Sequence, residues 1–235
     1  MLCPRVLPFI LPISLFGCVY YQEGPPEAHF KEFETKPPVL NTVTVCHAYG
    51  CKMQTPFSFS GRDIAEIALL MDQVKRNDTP SEERRALAYA VAWMERRVGP
   101  VVGTERDRPN MSFSGSGDPT QQDCVDEATN TTSYLLVLER NGLIRHHSVG
   151  RPFAKDSINR WTHWAALIKD RVSGEPYAVD SSGVPNGENP TVQAASSFYV
   201  PDGPNDIKPP EKSAPWVVDA GFDSTVTSLG YANDR

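Results

Sequence analysis

The sequence predicts an α+β domain, in which a cysteine-bearing helix packs on an antiparallel sheet and extra helices precede it. Three observations predict it. Residues 61–76 and 79–98 repeat their apolar residues at helical spacing. A third helical pattern starts at Cys124. From residue 143 the chain runs in short strand-like stretches between turn formers. A chain of 235 residues suits one such domain with appendages. With 23 basic against 29 acidic residues the chain is acidic and has no basic stripe, which argues against a nucleic-acid partner.

Taken in order, residues 1–17 read as a signal peptide. Arg5 precedes an apolar run to Phe16, too short to span a bilayer and interrupted by Pro8 and Pro12. "LFGC" is similar to a bacterial lipobox, with Leu15, Gly17 and the lipid-acceptor Cys18 in place and Phe16 where a small residue is usual. The expectation is an exported chain, lipid-anchored in a bacterial cell envelope, on the periplasmic face in a Gram-negative cell. An ordinary signal peptide cut elsewhere is the alternative. Residues 18–42, rich in Pro, Glu and Lys, read as a tether, residues 43–200 as the domain, and residues 201–235 as a Pro-rich tail.

Within the domain, residues 43–59 read as two short strands around Gly50. "CHAYGC" sets Cys46 and Cys51 five apart. In an oxidising compartment this spacing suits a local disulfide or two inert thiols better than a metal site. The helix at 61–76 buries Ile64, Ile67, Ala68, Met71 and Val74. The next is capped by Thr79 with Pro80 in its first turn and Glu82 closing a capping box. Leu87, Ala90, Val91, Met94 and Val98 form its buried stripe, and Gly99-Pro100 ends it. Residues 99–123 form a loop long enough to be functional or disordered. The third helix carries Cys124, Ala128, Thr131, Leu135 and Leu138 on one stripe, with Gly142 as its stop. His146 and His147 follow on a strand, facing opposite sides, a poor metal pair. "SSFYV" near the end reads as strand-like.

The chemistry centres on "WTHWAALIKDRVSGEPYAVD", residues 161–180. It reads as a β-hairpin turning between Arg171 and Val172. His163 then lies opposite Asp180 on the same face. Ala165 and Leu167 share that face, and the Cys124 helix is the expected partner for it. A cysteine in the first turn of a helix meets free backbone N–H groups and the positive end of the helix dipole, which favour thiolate. An imidazole beside it, oriented by a carboxylate, completes a nucleophile, base and orienting group. Cys124 is therefore the candidate nucleophile, His163 the general base and acid, and Asp180 the orienting carboxylate. The Cys124 N–H and the Gln122 amide are oxyanion candidates, Gln121 being equally placed by sequence. No metal or cofactor is called for.

"QDCVDEATNTTSYLLVLERNGLIRHHSV", "HWAALI" and "EPYAVDS" together resemble the transglutaminase-like superfamily, including its bacterial cysteine-proteinase-like members. Cys124, Asp126, Ala128, His163 and Asp180 match its pattern, over roughly residues 115–185. Asp123, just before the cysteine, departs from it and opposes thiolate formation where it lies close. The resemblance implies a papain/transglutaminase-like fold and thiol acyl transfer on a protein or peptide amide, as peptidase, deamidase or cross-linking enzyme. The rival expectation is a non-catalytic envelope lipoprotein using the same fold as a binding or scaffold module.

Overall fold

The computed structural model describes residues 19–20, 24–110, 113–157 and 160–198. The signal segment, Cys18 and the tail 201–235 lie outside the described residues. The architecture is mixed helix and antiparallel sheet, α+β. In chain order it runs β1 (Val19–Tyr20), α1 (Glu27–Glu32), β2 (Thr42–His47), β3 (Met53–Ser58), α2 (Gly61–Val74), α3 (Pro80–Val102), α4 (Cys124–Arg140), β4 (His147–Ser157), β5 (Arg160–Asp170), β6 (Pro176–Asp180), β7 (Thr191–Ala194) and α5 (Ala195–Phe198). Five strands form one antiparallel sheet in the order β1-β4-β5-β6-β7, and β2 and β3 form a separate hairpin. Among the described residues no helix is long and apolar enough to cross a membrane.

The centre of the fold is α4. It packs against both β5 and β2, and all but two of its residues from Cys124 to Leu138 are buried. A helix buried all round is ordinarily apolar, yet this one carries the run Thr129-Asn130-Thr131-Thr132-Ser133 through the core. Each polar side chain has a partner. Thr129 Oγ1 meets His29 Nε2 at 2.8 Å, Asn130 bonds the backbone N–H and C=O of Cys46, and Thr131 meets Ser181 at 2.9 Å. Thr132 and Ser133 donate back to the carbonyls of Ala128 and Thr129. The polar run therefore fixes α4 in one rotation and one height, as a purely apolar stripe would not. The main apolar core joins Leu135 and Leu138 of α4 to the expected stripes of α2 and α3 and to Val43, Val45 and Phe57 of the hairpin.

Several expectations are corrected. The segment expected to be a tether contributes α1, whose His29 and Phe30 are fully buried, and β1, which pairs with β4. The folded unit therefore begins before residue 43. Helix α3 runs through Gly99-Pro100 to Val102. Gly103, at φ 98°, supplies the left-handed cap and donates to Gly99 O at 2.7 Å. Gly99 is tightly packed: a Cβ there would lie 2.9 Å from Asn186 Nδ2 and 3.0 Å from the Glu105 backbone. Thr79 caps α3 as expected, but Glu82 turns its carboxylate to the Arg76 N–H and Arg85, leaving the capping box half made. Part of the expected strand near the end is instead the short helix α5.

The β5–β6 hairpin is offset by two residues from the expected register. Ala166 faces Val179 and Leu167 faces Ala178, with the turn in residues 171–175. A slip of two preserves the face, so His163 and Asp180 remain on one side as diagonal neighbours. That side is not the one α4 covers. Trp164, Ala166 and Ile168 face the α4 layer. Ala165 and Leu167 pack instead with Phe153, Ala178, Ala195 and Phe198. The continuous apolar run "WAALI" is the sequence signature of a strand buried on both faces.

Candidate active site

Cys124 stands at the first position of α4, capped by Asp123. The Asp123 side chain accepts from the Asp126 N–H at 2.9 Å, and Asp126 accepts in return from the Asp123 N–H. The carboxylate that would oppose a thiolate is thus drawn into the helix cap. The Cys124 N–H, at a helix N-terminus, has no intrahelical acceptor. Its sulfur lies 3.6 Å from Thr162 O and lines the same cleft as the His163 side chain. The helix lies on one face of the sheet and the imidazole projects from the other, and both reach one cleft at the start of β5.

Asp180 Oδ2 lies 2.9 Å from His163 Nε2, so Nδ1 is the ring nitrogen that this pair leaves uncommitted. Asp180 Oδ1 accepts from the Ser182 hydroxyl at 2.8 Å and from the Ser182 N–H at 3.2 Å. Phe198 stacks on the imidazole at 5.4 Å. Burial works to lower the His163 pKa, but the hydrogen bond and charge of Asp180, with Cys124 nearby, outweigh it and push it up to about 9. Burial raises the Asp180 carboxyl, and its bonds to His163 and Ser182 more than reverse this, holding it below the usual range.

These two shifts fix a pH window. A raised histidine adds stability that is complete below 6.5 and is lost as pH rises through about 9. A depressed carboxylate adds stability above its ordinary 3.8, lost on acidification. The thermal-midpoint advantage of the wild type over Asp180→Asn is expected to be greatest from about pH 5 to pH 6.5 and to shrink towards pH 9. A difference constant across that range would show that the pair does not govern the titration.

Together these side chains line a cleft of about 90 Å³ formed by Arg108, Asn110, Gln122, Asp123, Cys124, Glu127, Thr162, His163 and Ser182. The long loop supplies Arg108, Asn110 and Gln122, so it is part of the site. It is tied down where Asn110 N–H donates to Ser182 O at 2.8 Å and Gln122 N–H to Asp107 at 2.8 Å. The Gln122 amide lines the cleft and already gives one hydrogen to Cys46 O at 3.0 Å. Gln121 spends its amide on Arg106 O and Thr120, which separates the two candidates that the sequence left equal.

Cys46 and Cys51 form a disulfide beside this loop. Ala48, Tyr49 and Gly50 between them, and Cys51 itself, all take positive φ. The Asp126 carboxylate holds that turn by accepting from the Tyr49 and Cys51 N–H groups at 2.8 and 2.6 Å. The ligand atoms of Cys46, Cys51 and Asp126 lie within 4.8 Å of one another. The sulfurs are bonded to each other and the carboxylate is committed to backbone donors, so the trio serves the turn. His146 and His147 part company as expected: His146 meets Asp78 at 2.9 Å and buried His147 meets Glu83 at 2.8 Å.

Sequence reasoning missed Asp107, Asn110, Glu127, Ser182 and Phe198. Only Glu127 carried a signal, one helical turn beyond the cysteine. No family model, curated protein or solved structure matches the chain.

Proposed function

We propose that the chain is a thiol acyl-transfer enzyme of papain/transglutaminase-like fold, acting on protein or peptide amides in the bacterial cell envelope, where Cys18 anchors it through lipid. The observation that carries this reading is the pairing of Asp180 Oδ2 with His163 Nε2 at 2.9 Å, with His163 and the Cys124 thiol at a helix N-terminus lining one cleft.

In this reading the Cys124 proton passes to His163. The thiolate adds to the amide carbonyl carbon, and the C=O pair moves onto oxygen, facing the Cys124 N–H and the Gln122 amide. Collapse breaks the C–N bond, and His163 returns the proton to the departing amine. The thioester left on Cys124 is resolved by water, giving hydrolysis, or by a second amine, giving transamidation. Either nucleophile gives its proton to His163 as thiolate leaves. The scaffold alternative rests on the small exposure of Cys124, 8%.

An activated ester separates the two without knowledge of the natural substrate. Mixing the protein with p-nitrophenyl acetate is expected to release a burst of nitrophenolate and leave an acetyl group on Cys124, visible by mass spectrometry. Cys124→Ala should keep its fold and give no burst. A wild-type protein that takes up no acetyl group on Cys124 would support the scaffold.

A further inference from the structure

Glu127 lies one turn after Cys124 on α4 and therefore on the same side of the helix. Its side chain is 9% exposed and lines the cleft. Among the described residues its carboxylate makes no hydrogen bond and no ion pair. The other buried carboxylate of α4, Asp126, accepts from the N–H groups of Tyr49, Cys51 and Asp123. The Glu127 oxygens face the cleft without a donor from the described residues, free to accept from a ligand. Burial pushes its pKa well above the ordinary value, and Asp107, Glu95, Asp180 and Cys124 push it the same way.

The groups around it define what it would accept. Asp107 comes from the loop, Glu95 from α3, Asp180 from β6, and Asp123 and Cys124 from its own helix. Against them stand His163, already paired with Asp180, and exposed Arg108, whose Nε donates to Gln121 Oε1 at 3.1 Å. The local balance is acidic, so an anion is disfavoured and a cation is drawn in. The cleft is small, about 90 Å³, and admits an ammonium on a short stem.

We infer that Glu127 is the specificity residue of the cleft, binding the α-ammonium of a peptide's first residue and so presenting that residue's carbonyl to Cys124. The substrate assignment rests on the acyl-transfer reading; the cation site itself rests on the geometry of Glu127. An incoming ammonium supplies the donors and the countercharge that the carboxyl lacks. Any proton that Glu127 carries leaves to solvent as the ion pair forms. Chains with a blocked N-terminus would lose this contact.

Charged thiol reagents test the site independently of catalysis. Cys124 labelling would be compared for 2-aminoethyl, 2-sulfonatoethyl and neutral methyl methanethiosulfonate, each corrected for its rate with free cysteine. The aminoethyl reagent is expected to exceed the neutral one by about tenfold, the scale of one desolvated charge pair. Glu127→Gln should abolish that ratio, and Glu127→Asp should retain part of it. A ratio that is absent in the wild type, or unchanged in Glu127→Gln, overturns the inference.

Protection of wild-type Cys124 from the neutral reagent by methylammonium, and not by the bulkier tetramethylammonium, keeps the test valid where a variant fails to fold. Absence of protection overturns it too. In the ester assay, glycine p-nitrophenyl ester should be preferred over the acetate by the wild type and not by Glu127→Gln. Failure of every ester, with the reagent ratio intact, would sink the acyl-transfer reading and leave the cation site standing.

Discussion

Asp180→Asn is expected to cut the rate of Cys124 acylation by about 10³- to 10⁴-fold while leaving the thiol in place. The reason is tautomeric as much as electrostatic. Asp180 Oδ2 accepts from His163 Nε2, so Nδ1 is the ring nitrogen left to exchange a proton with the thiol. An asparagine can present its NH₂ group to Nε2, which forces the ring proton onto Nδ1 and aims a donor at the sulfur. The substitution also removes the bond and the charge that, with Cys124, hold the imidazole pKa at about 9. Ser182→Ala should be far milder, because Ser182 steadies Asp180 Oδ1 and touches the ring only at 3.3 Å. Burst kinetics on both variants, beside near-ultraviolet circular dichroism to verify the fold, measure this directly. Equal losses in both would mean that the strand end is merely being distorted.

The largest expected effect on stability lies away from the cleft, at Glu83. Its carboxylate is 1% exposed and accepts from the N–H groups of Arg145, His146 and His147 and from His147 Nδ1. This one side chain of α3 satisfies the entry to β4. Burial raises its carboxyl, and the bonds to His147 and to the backbone more than reverse that, so it is held ionised. Glu83→Ala strands three backbone donors, the His147 N–H among them buried, and a fully buried histidine at once. A loss of about 3–5 kcal/mol is expected, the scale of breaking a buried pair from one side, and urea unfolding measures it. A loss below about 1 kcal/mol would mean that water replaces the carboxylate without cost.

The helices were legible because their apolar stripes, caps and stops are local. Cys124 at a helix start and His163 with Asp180 on one hairpin face were legible for the same reason. The hairpin register was not, since "KDRVSG" admits turns at two places and only tertiary packing selects one. Helix α1 was hidden in a stretch of Pro, Glu and Lys because only His29 and Phe30 face fully inward. Glu83 gave no warning, since its role depends on a segment some sixty residues away. The second apolar layer, Phe153 and Phe198 against Ala165 and Leu167, was written in the unbroken "WAALI" run. That run signals burial on both faces but does not say which face carries the chemistry.

Iodoacetamide labelling of Cys124 in the full chain, followed at its own peptide from about pH 5.5 to about pH 9, is the most direct test of the Cys124–His163 pair. Wild type, His163→Ala and Asp180→Asn would run side by side. With the imidazolium beside the thiol, the wild type is expected to label rapidly already near pH 6.5, and His163→Ala to fall about a hundredfold there. Asp180→Asn should fall between them. Identical wild-type and His163→Ala profiles would contradict the pairing, and with it the case for Cys124 as nucleophile.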